Sequence, residues 1–232
     1  MPGVGIRQYK HPGQRLLGTS LGNGLMNFVS GPQMLPLYGK HFDPPSKLDP
    51  FTTSIGLGPD TSGSVTVASL VPTIGYTVPQ SVTCWAAVYL PTTSQKGTFV
   101  GLDEYPTADR GLHLGVGSGT FDTLGNELIF LHGSVFWVVS GVSIGTGVHT
   151  VAAVNTSGDG AVFYLDGKEV HSNLTARATL LTGRAVMGTI ASNTLARKLS
   201  AGSVVHSAIW RRRLADQEFM RLHRMTMQGL GI

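Results

Sequence analysis

From residue 64 onward, apolar and polar side chains alternate with a period of two. Val65, Val67 and Ser69 fall on one side of the chain, and Thr66, Ala68 and Leu70 on the other. In the run VTCWAAVYL, Val82, Cys84, Ala86, Val88 and Leu90 share one face, and Thr83, Trp85, Ala87 and Tyr89 share the other. Such alternation, built from β-branched and aromatic residues, marks a β-strand. Both faces of this run are apolar, which predicts a strand in the middle of a sandwich. The same pattern predicts strands at Thr98–Leu102, Leu112–Val116, Leu128–Leu131, Val135–Val139, His149–Val154, Ala161–Leu165, Ala185–Gly188 and Val204–Trp210. Turn residues fall between them. His132-Gly133-Ser134 reads as a hairpin, and Asn155 to Gly160 as a polar loop. Asp166-Gly167 suits the positive φ values of a tight type I′ turn and is the strongest local hairpin signal in the chain. Helical periodicity is confined to residues 214–226, where Phe219, Leu222 and Met225 share a face. Glu218 sits in the first turn, favoured by the helix dipole, and Gly229 and Gly231 are expected to stop the helix.

Residues 1–50 follow another pattern. Pro2, Pro12, Pro32, Pro36, Pro44, Pro45 and Pro50 recur with glycines between them. Each proline removes a ladder donor and fixes φ, which excludes a regular helix and disfavours a central strand. This segment is expected to be an extended arm with short strand pieces around Leu25–Val29 and Met34–Tyr38. The expected organisation is therefore an arm over 1–50 and a sandwich over 51–232. A chain of 232 residues is long enough to bury a core without staples, and all-β chains of this length are commonly one domain. Only 13% of residues are charged and 31 are glycine, which suits short strands joined by many turns.

Charge and cysteine usage narrow the partners. The net charge is +4, and the arm carries most of it: Arg7, Lys10, Arg15, Lys40 and Lys47 stand against Asp43 and Asp49. A mildly basic arm suits an acidic protein surface or simple solvation. The basic–aromatic stacking pattern of RNA-binding modules is absent, so nucleic acid is not an expected partner. Cys84 is the single cysteine, which excludes an intrachain disulfide, and its apolar run predicts a small buried hydrophobe. MPGVGIRQYKHPGQR has no apolar h-region, so a secretory signal is not expected. No apolar run reaches the ~20 residues of a membrane span. Synthesis and folding in a cytoplasm are expected, and the Asn-x-Ser/Thr triplets at Asn155 and Asn173 are then read as chance.

Two stretches carry a family resemblance. GVHTVAAVNTSGDGAVFYLDGKEV, residues 147–170, resembles the central hairpin of concanavalin A-like, laminin G-type jelly rolls: His149, Val151-Ala152, Tyr164, Asp166 and Gly167 occupy the places of that family's His or aromatic, Val-Ala and Tyr-x-Asp-Gly. AGSVVHSAIWRRRLADQEFMRLHR, residues 201–224, resembles its closing strand and helix through Gly202, Ile209, Trp210, Leu214 and Glu218. Ala215 departs from the family's Ser or Thr N-cap, a loss of about 1 kcal/mol unless Asp216 caps instead. The resemblance covers roughly residues 64–224 and implies an all-β, two-sheet antiparallel jelly-roll sandwich with a short C-terminal helix.

The resemblance also frames which chemistry to look for. Glucanases of the superfamily place their catalytic carboxylates as Glu-x-Asp-x-(x)-Glu on one strand, and glycoside hydrolysis needs two such groups flanking the bond. No such run occurs, and adjacent Asp103 and Glu104 would face opposite ways on a strand. The chain is expected not to be an enzyme. Relatives of the laminin G and legume-lectin type often bind calcium. Asp103, Glu104, Asp109, Asp122 and Asn126 are available oxygen donors, but their spacing matches no ligand loop, and ordinary turn residues are the expectation. No HExxH or paired Cys/His spacing supports a transition metal. No cofactor is expected. His149 and His206 lie in strand runs and are read as packing residues. Gly115 to Gly119 imitates a phosphate loop without a following helix and is read as a strand ending in a turn. Trp85, Trp137 and Trp210 are read as core.

Phage virion proteins often resemble laminin G-type jelly rolls. With low charge, no disulfide and a Pro/Gly-rich arm, the resemblance implies a structural virion protein of a tailed bacteriophage, capsid decoration or cement or tail-associated. Its partners would be other virion subunits in a homo- or hetero-oligomer. Arg7, Tyr9, Lys10, Arg15 and Tyr38 are the arm residues expected at that contact. The alternative is a carbohydrate-binding module that recognises a host surface.

Overall fold

The computed structural model describes residues 20–22, 25–30, 41–42, 68–69, 76–77, 81–103, 111–133, 136–156, 160–173, 182–187, 199–210 and 212–232. The strands are β1 (Leu25–Ser30), β2 (His41–Phe42), β3 (Ala68–Ser69), β4 (Tyr76–Thr77), β5 (Ser81–Leu90), β6 (Gly97–Asp103) and β7 (Gly111–Gly117). They continue as β8 (Glu127–Gly133), β9 (Phe136–Ser143), β10 (Gly147–Thr156), β11 (Gly160–Leu165), β12 (Lys168–Asn173), β13 (Thr182–Met187) and β14 (Ser203–Trp210), and helix α1 (Asp216–Leu230) ends the order.

The strands form two antiparallel sheets. One runs β12-β11-β10-β5-β14-β1-β2, and the other β3-β13-β6-β7-β8-β9 with β4 paired to β13. The fold is an all-β jelly-roll sandwich with one C-terminal helix, as the resemblance implies. Side chains of one parity meet between the sheets. Cys84, Ala86 and Val88 from β5 face Leu112, Leu114 and Phe130 of the opposite sheet, all essentially inaccessible. Phe130 and Phe163 bridge the layers edge to face, with centroids 6.4 Å apart, a favoured aromatic geometry. Burial pushes the Cys84 thiol up to about 12, so it stays protonated and behaves as the small hydrophobe expected.

The second apolar face of β5 has a different cover. Trp85, Ala87, Ala152, Tyr164 and Trp210 pack against Phe219 and Leu222 of α1. The first sheet is therefore buried on both sides, by the second sheet and by the helix. That is why a strand at its centre has no polar face.

Several details differ from the sequence reading. The helix spans Asp216–Leu230, not 214–226. Gly229 lies inside it, and the stop is Gly231, in the left-handed conformation with φ 74, whose N–H reaches Gln228 O. The strand piece expected around Leu25–Val29 is present as β1, but as a full member of the first sheet, paired antiparallel with β14 and β2. The loop after Asn155 is shorter than read, because β10 runs to Thr156 and β11 begins at Gly160. Asn155 is 3% exposed, which closes its triplet to glycosylation in the folded state. Gly115 and Gly117 do lie where a strand ends in a turn: a Cβ on Gly115 would collide with Gly97 O of the paired strand β6, and one on Gly117 with Thr120 O of the turn that buries Phe121. The strand piece at Met34–Tyr38, the side chain of Trp137 and most of the alternating run from 64 to 70 lie outside the described residues.

If the helix cover holds the first sheet, Phe219→Ala lowers unfolding stability by about 3–5 kcal/mol. Urea titration checks this, and a loss below about 1 kcal/mol would show that Phe219 carries little of the cover.

Candidate functional site

Polar side chains of the described residues converge where α1 meets the first sheet. The Asp166-Gly167 turn joins β11 to β12 with φ values of 50 and 80, as Asp-Gly predicts. Asp166 Oδ1 accepts the Thr150 N–H at 3.0 Å, and the Asp166 N–H donates to Thr150 O at 2.7 Å. Asp166 Oδ2 lies 2.9 Å from His149 Nδ1, while His149 Nε2 lies 3.3 Å from Thr146 O. Both ring nitrogens face acceptors, an arrangement satisfied only by the doubly protonated imidazolium. The hydrogen bond to Asp166 accordingly raises the His149 pKa against the opposing effect of burial. Burial would raise Asp166, but the His149 proton, the Thr150 N–H and the neighbouring histidine charges hold its carboxyl below the ordinary range. The helix rests directly on this turn. A Cβ at Gly167 would stand 2.8 Å from Met220 Cα. His223 Nδ1 lies 3.0 Å from Thr150 Oγ1 and 3.7 Å from Asp166 Oδ1.

The start of the helix is held by a second group. The Tyr164 ring stacks on Phe219 at 3.8 Å, and its hydroxyl donates to Asp216 Oδ1 at 2.8 Å. Burial and Asp216 push that hydroxyl up to about 12. Asp216 does not replace the missing N-cap: it is the first residue of the helix, and its carboxylate accepts from Tyr164. Ala215 is the N-cap and offers no side-chain acceptor. What remains is half a capping box, in which Glu218 Oε2 accepts the Ala215 N–H at 2.9 Å. Arg212 grips the same carboxylate in bidentate fashion at 2.6 and 2.7 Å. This pairing holds Glu218 down at about 2 despite partial burial. Arg212 Nη2 also donates to Ser20 O at 2.7 Å, and the buried indole of Trp210 donates to Leu21 O at 2.6 Å.

This chemistry is suited to holding elements together. Thr150, His223 and Asp166 resemble a nucleophile, base and acid by type. A relay needs the two imidazole nitrogens to face different partners, yet one nitrogen of His223 faces both here, and Thr150 is 2% exposed. The crevice beneath the helix, lined by Trp85, Thr150, Tyr164, Gly167 and Phe219, leaves essentially no room for a water-sized molecule, far short of the ~300 Å³ of a small-molecule site. No group of three or more His, Cys, Asp or Glu side chains among the described residues is placed to hold a metal ion. Of the oxygen donors considered for calcium, Asn126 Nδ2 donates to Ile144 O at 3.5 Å and Asp122 O accepts from Lys96 Nζ at 3.3 Å. Glu104, Asp109 and the Asp103 side chain lie outside the described residues.

The residues singled out from the sequence separate cleanly. His149, Tyr164, Asp166, Gly167, Trp210, Leu214 and Glu218 all gather around α1. Gly202 sits at the other end of β14, where φ is 91 and a Cβ would collide with Tyr89 O. His149, read as a packing residue, is instead a partly exposed partner of Asp166. Arg7, Tyr9, Lys10, Arg15 and Tyr38 lie outside the described residues. Sequence reasoning missed Arg212, Asp216, His223 and Leu21, whose partners are up to 192 residues away along the chain. Only the Arg212–Glu218 spacing was open to a local reading.

No family model matches the chain, and no curated protein matches it. Solved structures do. A Trypanosoma rangeli sialidase in complex with sialic acid is 15% identical at a TM-score of 0.51, over 86% of this chain and 32% of the sialidase. The CBM40 of a Ruminococcus gnavus IT-sialidase bound to α2,3 sialyllactose is 11% identical at a TM-score of 0.47, over 68% of this chain and 96% of that one. A native heptameric SAP-like pentraxin from Limulus polyphemus is 14% identical at 0.46, over 65% and 73%. The chain thus spans about a third of the sialidase. At such identities the likeness is one of fold alone, an antiparallel two-sheet jelly-roll sandwich.

Two outcomes follow from the geometry. His149 has a raised pKa, so its contribution is complete below about 6.5 and fades as pH rises through its folded value; Asp166 has a lowered one, so its contribution is complete above about 3.8 and fades as pH falls through its folded value. The stability difference between the native chain and Asp166→Asn, which tolerates the same φ, is therefore largest between these limits and shrinks toward pH 8. Its size is about 1 kcal/mol at this partly exposed site, and urea titration at pH 5 and pH 8 measures it. Separately, Glu218→Gln costs about 1–3 kcal/mol at neutral pH. That difference should disappear as acid brings Glu218 through its pKa near 2, provided the fold survives there; a pH-independent difference would point to packing instead of charge.

Proposed function

We infer that this chain is a non-enzymatic structural protein of a tailed-bacteriophage virion, a capsid decoration or cement subunit or a tail-associated one. It is made in the host cytoplasm and assembles with other virion proteins through its N-terminal segment. The observation that carries this reading is the backbone pairing of Leu25–Ser30 into the sheet beside β14. The segment is anchored at one margin of the sandwich, and the basic residues Arg7, Lys10 and Arg15 precede that anchor. Extended segments of this kind bind neighbours by strand addition and many backbone contacts. The clustered titratable groups support the same reading, because they are engaged with one another in holding α1. No cofactor is needed for such a role.

Carbohydrate binding at a host surface is the second reading, and one observation favours it. Tyr89 is 45% exposed at the end of β5, beside the exposed polar turn Pro91–Ser94. An exposed ring of this kind offers a stacking face to a sugar.

Light scattering with size-exclusion chromatography separates the two. For the assembly reading, the full chain forms oligomers, and one lacking residues 1–50, which keeps the five strands β12-β11-β10-β5-β14 of the first sheet, is a folded monomer. Identical monomers, together with glycan-array binding lost in Tyr89→Ala, would favour the second reading. The array is run with and without calcium.

A further inference from the structure

The body of the sandwich carries a built receptor for an extended segment. Trp210, itself inaccessible, aims its indole N–H at Leu21 O. Arg212 Nη2 aims an N–H at Ser20 O, and Nη1 and Nη2 together grip Glu218. Leu21 fills a fully buried place among Trp85, Trp210, Leu214 and Phe219. Beyond it, β14 offers its free side to β1 in the register Phe28↔Ala208, Val29↔Ser207 and Ser30↔His206. These contacts read backbone carbonyls, one apolar side chain and a strand edge. They would hold the same segment of any copy equally well.

The segment is also separable. The first sheet keeps five strands, β12 to β14 in its order, without β1 and β2. The next described strands in sequence, β3 and β4, pair in the other sheet. β2 ends at Phe42 and β3 begins at Ala68, and a chain of that intervening length spans at most roughly 80 Å at ~3.3 Å per residue. A domain of this size has a radius of gyration of only about 17 Å, so the link reaches an adjoining copy.

We propose that residues 20–30 are an exchangeable strand, which in the assembled state docks against β14, Trp210 and Arg212 of a second copy of this chain. The exchange conserves every contact within the receptor and costs only the entropy of association, a low-cost route to oligomers. Arg212 makes docking of the segment and seating of α1 interdependent, because one guanidinium serves both. This inference rests on the assembly reading and names the partner and the contact.

Cysteine trapping in the full-length chain tests it. One preparation carries Val29→Cys alone, another Ser207→Cys alone, and a third both. Cys84 is buried and its thiol is held protonated, so it stays out of the reaction. The single variants are unfolded, mixed, refolded together and oxidised. Exchange gives a covalent heterodimer as the main product, and Leu21→Asp in the Val29→Cys chain lowers its yield about tenfold or more, as burial of an unpaired charge demands. A mixture that stays monomeric while the double variant closes its bond within one chain overturns the exchange. Absence of both bonds overturns it too, because β1 then does not sit on β14. If light scattering still shows oligomers in either failure, the assembly reading stands and only the exchange falls; monomers throughout remove both.

Discussion

The first sheet has two apolar faces, and one sandwich partner can bury only one of them. That constraint organises the rest of the molecule. The second sheet covers Cys84, Ala86 and Val88, while the other face, with Trp85, Ala152 and Trp210, needs α1. Burying apolar surface at about 25 cal/mol per Å² makes that cover one of the larger contributions to the fold. Burial alone is non-directional, however. The stack of Tyr164 on Phe219 and the hydrogen bond from Tyr164 to Asp216 give the helix a single seat.

The polar groups at that seat work as fasteners. Arg212 and Glu218 fix the entry of the helix and offset an N-cap that has no side-chain acceptor. Asp166, His149, Thr150 and His223 fix its middle over a turn whose glycine leaves room for the Met220 backbone. Each carboxylate here has a donor, so the shifted protonation of His149, Asp166 and Glu218 reports fastening. Shifted groups in a cleft can also signal catalysis; among the described residues these point at each other.

Fold similarity does not carry a ligand or a reaction across to this chain. A jelly roll shared with about a third of a sialidase describes how the strands are laid out. Function has to come from what this chain places on that scaffold. What it places, among the described residues, is a sheet margin built by its own N-terminal segment and secured by Trp210 and Arg212. The reading as an assembly protein rests on that margin.

The sequence by itself determined the longer strands and the Asp166-Gly167 turn, because period-two alternation and Asp-Gly turn chemistry act over a few residues, while the short strands β2 and β4 carry no such pattern and the jelly-roll class came from the family resemblance. It marked Tyr164, Asp166, Gly167, Trp210 and Glu218 as a set through their resemblance to known jelly rolls. It misplaced the helix boundaries, since Gly229 tolerates a helix that Gly231 ends. The tertiary structure alone decided why that set exists. Thr150 meets His223 across 73 residues, and Arg212 meets Ser20 across 192; no local pattern encodes such pairs. The same holds for His149, which looks like a packing residue in a strand and becomes a hydrogen-bond partner with a raised pKa only when the turn brings Asp166 beside it. Local periodicity specifies which residues face a core, and only the folded chain specifies which polar groups meet at its edge.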